Sequence, residues 1–211
     1  MTGLNRSQYL NKEGGIKGVS MNNQQLLTIE GVDCVGKTTL AKRIASELGY
    51  TYYTTPQLPL SNIRKSIEEL RDIETRFFYY LTSVIAVQPE LKATLAGGNQ
   101  IVIDRYVYST FAMHRVLGAT AKCVQLELLP ILRPSLGILL IASEEARCMR
   151  KFSRYKTMVF DQYIEQETKL LSIAQDEYRL FKELIPIDTT TKTANDVFEE
   201  VKLLLGRNGY A

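Results

Sequence analysis

The chain has few of the residues that mark a disulfide-rich, metal-binding or membrane protein. Its three cysteines, Cys34, Cys123 and Cys148, are scattered and have no metal-ligand spacing. No apolar stretch is long enough to cross a membrane, and residues 1–24 lack the apolar centre of a signal peptide. Cysteines used in this way favour a reducing compartment over a disulfide scaffold. We therefore expect a cytoplasmic protein with no membrane partner.

The chain also lacks an excess of charge of either sign. The 26 basic and 23 acidic residues leave a net charge of +3, which argues against a dedicated nucleic-acid surface. With 211 residues, 45% of them hydrophobic, the chain can bury one good-sized core. We expect one domain over residues 25–211, preceded by a polar tail or extension over residues 1–24.

Residues 31–38 carry the most informative motif of the chain. Their sequence, GVDCVGKT, fits the phosphate-loop pattern G-x-x-x-x-G-K-[ST]. An apolar run over residues 25–29 suits a buried strand before it, and Leu40, Ile44 and Leu48 recur at helical spacing after it. Because the motif requires strand, loop and helix in this order, the flanking segments favour a functional loop over a simple glycine turn. The sequence predicts a site for the polyphosphate of a nucleoside triphosphate.

Each residue type in this loop has a chemical reason to be there. Glycines permit backbone angles that let successive amides point into one concavity, and a helix N-terminus also attracts anions. Lys37 would reach the outer phosphates, the Thr38 hydroxyl would bind Mg²⁺, and Thr39 would contact an inner phosphate. The residues predicted to bind the nucleotide are Gly31, Asp33, Cys34, Val35, Gly36, Lys37, Thr38 and Thr39.

Strand-like and helix-like segments alternate along the chain. The segments with strand character are residues 25–29, 51–55, 100–104, 136–141 and 185–188. Residues 61–71 and 75–96 have helical character, and the second segment either continues past Pro89 or restarts there. A capping box at Thr193–Asp196 begins a final helix that runs to Leu205. This alternation predicts an α/β fold of three layers, in which helices cover both faces of a parallel sheet. Ligands should bind at the carboxyl ends of the strands.

Asp104 and Arg105 directly follow one of the predicted strands. A carboxylate in that place, in a chain with a phosphate loop, commonly holds the magnesium shell or orients an acceptor. Arg105 could grip a phosphate with two parallel hydrogen bonds. The alternative is a purely structural ion pair at the end of a strand. We predict that Thr38 and Asp104 are the metal-binding side chains.

The two motifs together resemble those of the thymidylate kinases. Residues 30–39 match EGxDxxGKTT and residues 104–112 match DRYxxSxxA, and the order and spacing of the resemblance hold over roughly residues 26–205. The resemblance implies a P-loop nucleoside monophosphate kinase fold, phosphoryl transfer from ATP with Mg²⁺, and a homodimer. It also implies that the loop at residues 188–191 borders the adenine of the donor.

Carried over by position, the resemblance also assigns the acceptor site. Asp33 would face the sugar of the acceptor and Arg105 its phosphate. Tyr80 would stack on the base, although an aromatic residue at helical spacing is often plain core. Ser109 and Thr110 would lie near the edge of the base.

The chain departs from the family pattern within this acceptor site. The segment Thr54–Gln57 has no arginine where the family carries one for the acceptor's phosphate, and Val84 stands where a second arginine is usual. His114, the single histidine, replaces the usual glutamine or threonine and could contact the acceptor, act as a base or be structural. The acceptor is therefore left open between thymidine monophosphate, another nucleoside monophosphate, and a nucleoside or another small molecule.

A cluster of basic residues predicts a small lid over residues 144–160. Arg147, Arg150, Lys151, Arg154 and Lys156 lie within ten residues, and Arg150 and Arg154 share a helical face. Mobile cations that close over a transferring phosphoryl group lower its barrier, whereas the alternative is a solvated basic helix. The predicted catalytic residues are Lys37, Asp104, Arg105, Arg150 and Arg154. We expect a nucleotide kinase, with a nucleotide-binding pseudo-kinase as the rival from another class.

Overall fold

A parallel β-sheet forms the centre of the structure, a computed structural model that describes residues 25–70, 72–120, 124–155 and 162–207. Its five strands are β1 (Leu26–Glu30), β2 (Thr51–Thr54), β3 (Ile101–Asp104), β4 (Leu136–Ile141) and β5 (Leu184–Asp188). They lie in the order β2-β3-β1-β4-β5, and every neighbouring pair is parallel. Strands β2 and β3 therefore lie on one side of β1, and β4 and β5 lie on the other. The direction of the chain across the sheet changes at β1, and a crevice lies at the carboxyl end of this strand.

Helices connect the strands and cover the sheet. They are α1 (Lys37–Leu48), α2 (Arg64–Glu69), α3 (Ile73–Ala86), α4 (Gln88–Ala96), α5 (Val107–Val116), α6 (Glu144–Tyr155), α7 (Gln162–Arg179) and α8 (Ala194–Arg207). Helix α1 packs against α8, whereas α5 packs against both α3 and α7. The three-layer α/β arrangement predicted from the sequence is confirmed.

The core lies between the sheet and these helices. Every residue of β1 and β3 is buried, as a strand covered on both faces requires. Phe77, Phe111, Tyr178 and Phe198 are among the largest fully buried side chains, and each contributes about 1.5–3 kcal/mol through burial. This packing fixes the carboxyl ends of β1 and β3 against each other.

The observed elements refine the predicted boundaries. Strand β4 has the predicted bounds, β1 is shifted by one residue at both ends, and the other strands differ from prediction by one residue at one end. The predicted helix over residues 61–71 is instead a short 3₁₀ turn (Leu60–Ile63) followed by α2. The segment 75–96 is two helices, because α4 restarts at Gln88 with Pro89 in its first turn, where proline costs no hydrogen bond.

The predicted capping box at the start of α8 is confirmed. The backbone N–H of Asp196 donates to Thr193 Oγ1 at 3.2 Å, and the backbone N–H of Thr193 donates to Asp196 Oδ2 at 2.9 Å. The predicted tail over residues 1–24 lies outside the described residues. Within the described ranges, no helix combines the length and the apolar character that crossing a membrane requires.

Candidate nucleotide and acceptor site

The loop between β1 and α1 has the backbone conformation that its glycines predict. Gly31 has φ 133° and Gly36 has φ 104°, and a Cβ at Gly31 would collide with the carbonyl oxygen of Leu140. Cys34 also lies in the left-handed region, with φ 65°. Only glycine adopts such angles without strain, so the loop shape depends on these two glycines. The loop delivers the chain to the N-terminus of α1.

Lys37 is the first residue of α1, and its ammonium group is buried inside the loop. The side chain is 5% exposed, and Nζ donates to the carbonyl oxygen of Val32 at 2.5 Å. Burial, with the charge of Arg105 as a second cause, lowers the pKa of Lys37 to about 7, against the opposing effect of Asp33 and Asp104. An anion bound in the loop would favour the charged form of this lysine. Phosphate bound in the loop would therefore raise the pKa of Lys37 and keep its ammonium group charged.

Thr38 and Asp104 meet across the ends of α1 and β3. The Thr38 hydroxyl donates to Asp104 Oδ2 at 2.5 Å, and the Tyr52 hydroxyl lies 3.4 Å from the same oxygen. The other carboxylate oxygen, Asp104 Oδ1, is buried without a hydrogen-bond partner. A hydroxyl and a carboxylate oxygen are ligands that Mg²⁺ prefers, together with waters and substrate phosphates. These residues therefore fit a magnesium ion bound to a nucleotide.

The described residues contain no cluster of three or more acidic, histidine or cysteine side chains that could hold a metal by themselves. Mg²⁺ is usually bound through one or two carboxylates plus phosphate oxygens of a substrate. Thr38 and Asp104 fit a magnesium site whose other ligands come from the phosphates of a nucleotide.

Arg105 follows β3 and turns back towards the phosphate loop. Its φ of 67° is unusual for a residue with a side chain, and such strain often occurs at functional sites. Hydrogen bonds hold the conformation, because the Arg105 N–H donates to the Ile29 carbonyl at 3.1 Å and the Thr55 hydroxyl donates to the Arg105 carbonyl at 3.0 Å. The guanidinium forms an ion pair with Asp33 and lies 3.4 Å from the Gly31 carbonyl oxygen. Arg105 is therefore held at the mouth of the loop.

A buried polar network joins the end of β1 to α5 and α7 beside the phosphate loop. Glu30 is fully buried, and its carboxylate accepts hydrogen bonds from the Ser109 hydroxyl and, at 3.0 Å, from the backbone N–H of Tyr106. Burial raises the pKa of Glu30. The Tyr178 hydroxyl, from α7, lies 2.9 Å from the Ser109 hydroxyl and 3.3 Å from the Gly31 carbonyl oxygen. Because Ser109 bonds within this network, its contact with a base edge stays a prediction.

Tyr80 of α3 and His114 of α5 lie beside each other. Tyr80 is half-buried, and its ring centre is 5.4 Å from that of His114. His114 is buried, and its Nδ1 lies 2.8 Å from the carbonyl oxygen of Thr110, which is also buried. Burial lowers the pKa of His114, so the neutral imidazole predominates at pH 7. Val84, where the family carries an arginine, is fully buried in the core.

The second side of the phosphate loop faces α6 and the segment after β5. A cleft of about 240 Å³ lies there, and its lining includes Cys34, Gly36, Thr39, Arg150, Thr189 and Lys192. The Arg150 guanidinium donates to the Thr189 carbonyl and hydroxyl oxygens, the second at 3.0 Å, and lies 3.4 Å from the Cys34 carbonyl oxygen. The basic helix thus touches the phosphate loop directly. The side chain of Arg154 and residues 156–160 of the predicted lid lie outside the description.

The fold brings most of the predicted residues together, in two groups. Lys37, Thr38, Asp104, Arg105 and Asp33 converge at the ends of β1 and β3, whereas Arg150 approaches the loop from the opposite side. Nothing in the sequence pointed to the contact of Tyr178 with Gly31 or to the contacts of Arg64 and Glu68 with Tyr80. The α2 residues lie in a segment predicted to be helical, but nothing in the sequence indicates which way that helix faces.

Known proteins are similar to this chain over most of its length. The family model for thymidylate kinase matches residues 29–201. A probable thymidylate kinase of Methanocaldococcus jannaschii is 27% identical over 187 residues, which cover 86% of this chain and 95% of the relative. A probable thymidylate kinase of Thermoplasma volcanium is 27% identical over 195 residues, which cover 85% and 98% of the two chains.

A solved structure supports the fold independently of sequence identity. The thymidylate kinase of Candida albicans superposes with a TM-score of 0.71 over 89% of this chain and 93% of its own, at 16% identity. At that identity the likeness speaks for the fold alone. With a family model that spans most of the chain and curated relatives matched over nearly their whole length, this chain belongs to the thymidylate kinase family.

Proposed function

We propose that this protein transfers the terminal phosphoryl group of ATP to a nucleoside monophosphate in the cytoplasm, with thymidine monophosphate as the first acceptor to test. The observation that carries the proposal is the contact of Thr38 with Asp104 beside the buried Lys37, in which one carboxylate oxygen has no protein partner. Such an arrangement is suited to a nucleotide polyphosphate with its magnesium ion. The names of the curated relatives support the choice of acceptor.

The donor would occupy the phosphate loop and the cleft beside it. Backbone amides of the loop and the ammonium of Lys37 would bind the phosphates, while the segment at Thr189 would border the adenine. Thr38 and Asp104 would hold Mg²⁺, which when bound offsets the charge of the phosphates. Arg150 would place a guanidinium near the transferring group, and Arg154 is proposed to share that role from the same helix.

The acceptor would lie beyond the end of β3. The Arg105 guanidinium would bind the acceptor's phosphate with two hydrogen bonds, and Asp33 would accept a hydrogen bond from its sugar. Tyr80 would stack on the base, with Ser109 and Thr110 near its edge. Orientation of this kind is the main contribution that a protein makes to phosphoryl transfer, because the reaction needs little covalent help.

The proposal is tested by measuring acceptor-dependent ADP release from ATP and Mg²⁺. Nucleoside monophosphates, free nucleosides and other small phosphorylated or hydroxylated metabolites form the panel, and Lys37→Ala is the inactive control. Turnover is expected with at least one nucleoside monophosphate, thymidine monophosphate first. Turnover only with another kind of acceptor would reassign the kinase. ATP binding without any acceptor-dependent ADP would mean a pseudo-kinase and would overturn the proposal.

Arg150→Ala separates the donor side from the acceptor side. The variant loses hydrogen bonds that join α6 to Thr189 and Cys34. We expect the KM for ATP to rise about tenfold, with a fall in kcat, because a charge-assisted contact with phosphate is lost, and the KM for the acceptor to stay within about twofold. Steady-state kinetics with each substrate varied in turn make the measurement. Arg179→Ala is the control, since Arg179 is exposed on α7 and pairs with Asp176 at 2.7 Å. An acceptor-side effect alone would contradict this placement.

A further inference from the structure

Helix α2 brings a second guanidinium to the acceptor side of the site. Arg64 Nε lies 2.8 Å from Glu68 Oε1, and the Arg64 guanidinium carbon is 5.9 Å from the centre of the Tyr80 ring. The Tyr80 hydroxyl donates to the same Glu68 oxygen. One carboxylate oxygen therefore holds both the arginine and the ring proposed to stack on the acceptor's base.

The charge of Arg64 also reaches Asp33, at the mouth of the phosphate loop. Burial raises the pKa of the Asp33 carboxyl, but the charges of Arg105, Lys37 and Arg64 outweigh burial and leave that pKa below its ordinary value. Arg64 thus lies beside Tyr80 and acts through its charge on Asp33, the two residues that the proposed acceptor would contact at its base and at its sugar. Its side chain is 53% exposed, so a ligand can reach it.

The present partner of Arg64 is weak and can be replaced. An exposed ion pair between residues four apart on a helix is among the weakest charged contacts in proteins. A phosphate group offers the same guanidinium two parallel, charge-assisted hydrogen bonds in a better matched geometry. A phosphate bound near Asp33 and Arg105 would therefore compete effectively with Glu68 for Arg64.

We propose that Arg64 is a specificity-determining residue that binds the phosphate of the acceptor, and that Glu68 competes with that phosphate for Arg64. This inference rests on the proposed function, because it concerns the acceptor of the same reaction. It supplies a positive charge for the phosphate in place of the arginine that is missing from the Thr54–Gln57 segment. It also predicts an unusual result, since removal of the Glu68 charge strengthens binding.

The same helix contains a matched control pair. Lys65 and Glu69 are also oppositely charged and four residues apart, with Nζ and Oε1 separated by 4.0 Å, but their side chains are 90% and 68% exposed. Substitutions there change the net charge of α2 by the same amount as substitutions at Arg64 and Glu68. They therefore separate a direct contact from a general electrostatic effect.

The experiment compares the dissociation constants of thymidine 5′-monophosphate and thymidine by titration calorimetry. The proteins are the full chain and its variants Arg64→Gln, Glu68→Gln, Lys65→Gln and Glu69→Gln. Arg64→Gln is expected to weaken binding of the monophosphate about tenfold and to leave thymidine within about twofold. Glu68→Gln keeps an oxygen for the Tyr80 hydroxyl and is expected to tighten binding of the monophosphate about two- to fivefold. The two control variants should match the unmodified chain.

Four results would overturn the inference, the last of them without affecting the proposed function. The first is an equal loss for monophosphate and nucleoside in Arg64→Gln, which would mean a structural or base-contacting role. The second is a Glu68→Gln protein that behaves like Glu69→Gln. The third is an unmodified chain that binds the nucleoside as tightly as the monophosphate. If no monophosphate led to ADP formation, the proposed function itself would be wrong. Active turnover together with unchanged monophosphate binding by Arg64→Gln would reject this inference alone.

Discussion

Replacing Lys37 with methionine is expected to lower kcat about 100- to 1,000-fold and to make the unliganded protein more stable. The catalytic loss follows from removal of the cation that contacts the outer phosphates, since one preorganised charge or donor at a transition state commonly contributes a factor of this size. Lys37 Nζ is buried and donates to the uncharged carbonyl oxygen of Val32. In the unliganded protein its charge therefore costs free energy.

The gain in stability has a defined dependence on pH. Burial lowers the pKa of Lys37 from the ordinary value of 10.5 to about 7, so the unfolded chain binds more protons than the folded one between those two values. The free energy of unfolding contributed by this group is thus lowest below pH 7 and rises as the pH increases towards 10.5. Methionine removes that penalty, so the variant's advantage should be largest near neutral pH and should shrink at alkaline pH.

Calorimetry between pH 6 and pH 10 and steady-state kinetics provide the measurements. We expect the Tm of Lys37→Met to exceed that of the unmodified chain by roughly 5 °C at pH 7. Lys42→Met, on the exposed face of α1, is the control and should change neither Tm nor kcat appreciably. A lower Tm at neutral pH, or a kcat within tenfold of the unmodified value, would contradict the placement of Lys37.

Asp104→Asn is expected to lower kcat by at least about 100-fold, with only a small effect on ATP binding in the absence of Mg²⁺. Asp104 Oδ1 is buried without a partner, and an amide in its place removes the negative charge that a divalent cation requires. The Thr38 hydroxyl can still donate to the remaining oxygen, so the fold should be retained. The concentration of Mg²⁺ that gives half-maximal activity should rise about tenfold or more.

The measurement is a titration of activity with Mg²⁺ at fixed ATP, beside nucleotide binding with and without the metal. Asp176→Asn, at an exposed position of α7, controls for loss of one carboxylate. If Asp104→Asn needed no more Mg²⁺ than the unmodified chain, Asp104 would be a structural residue. An equal loss of ATP binding with and without Mg²⁺ would lead to the same conclusion.

The sequence was most informative where a local pattern determines local structure. Apolar runs such as residues 136–141 predicted buried strands because a strand covered on both faces needs no polar alternation. The glycines at 31 and 36 predicted the loop because its backbone angles exclude other residues. Thr38 and Asp104, distant in sequence, could be paired because both follow strands that end at the same edge of a parallel sheet.

The sequence was least informative where a contact depends on how helices are placed. Tyr178 is 147 residues from Gly31, and no periodicity indicates that its hydroxyl reaches the phosphate loop. The pairing of Arg64 and Glu68 could be expected from their spacing, but its position beside Tyr80 depends on the angle between α2 and α3. The break between α3 and α4 at Val87 was left open because proline is compatible with a restart as well as a kink.

Phosphoryl transfer from ATP to a nucleoside monophosphate can be followed atom by atom with ³¹P NMR of the products. The protein is mixed with ATP, Mg²⁺ and thymidine 5′-monophosphate, and the spectra follow each phosphorus atom. Thymidine diphosphate should form in equal amount to ADP, with no inorganic phosphate. Release of inorganic phosphate without thymidine diphosphate would contradict transfer, and unchanged ATP, here and with every other monophosphate, would contradict a kinase.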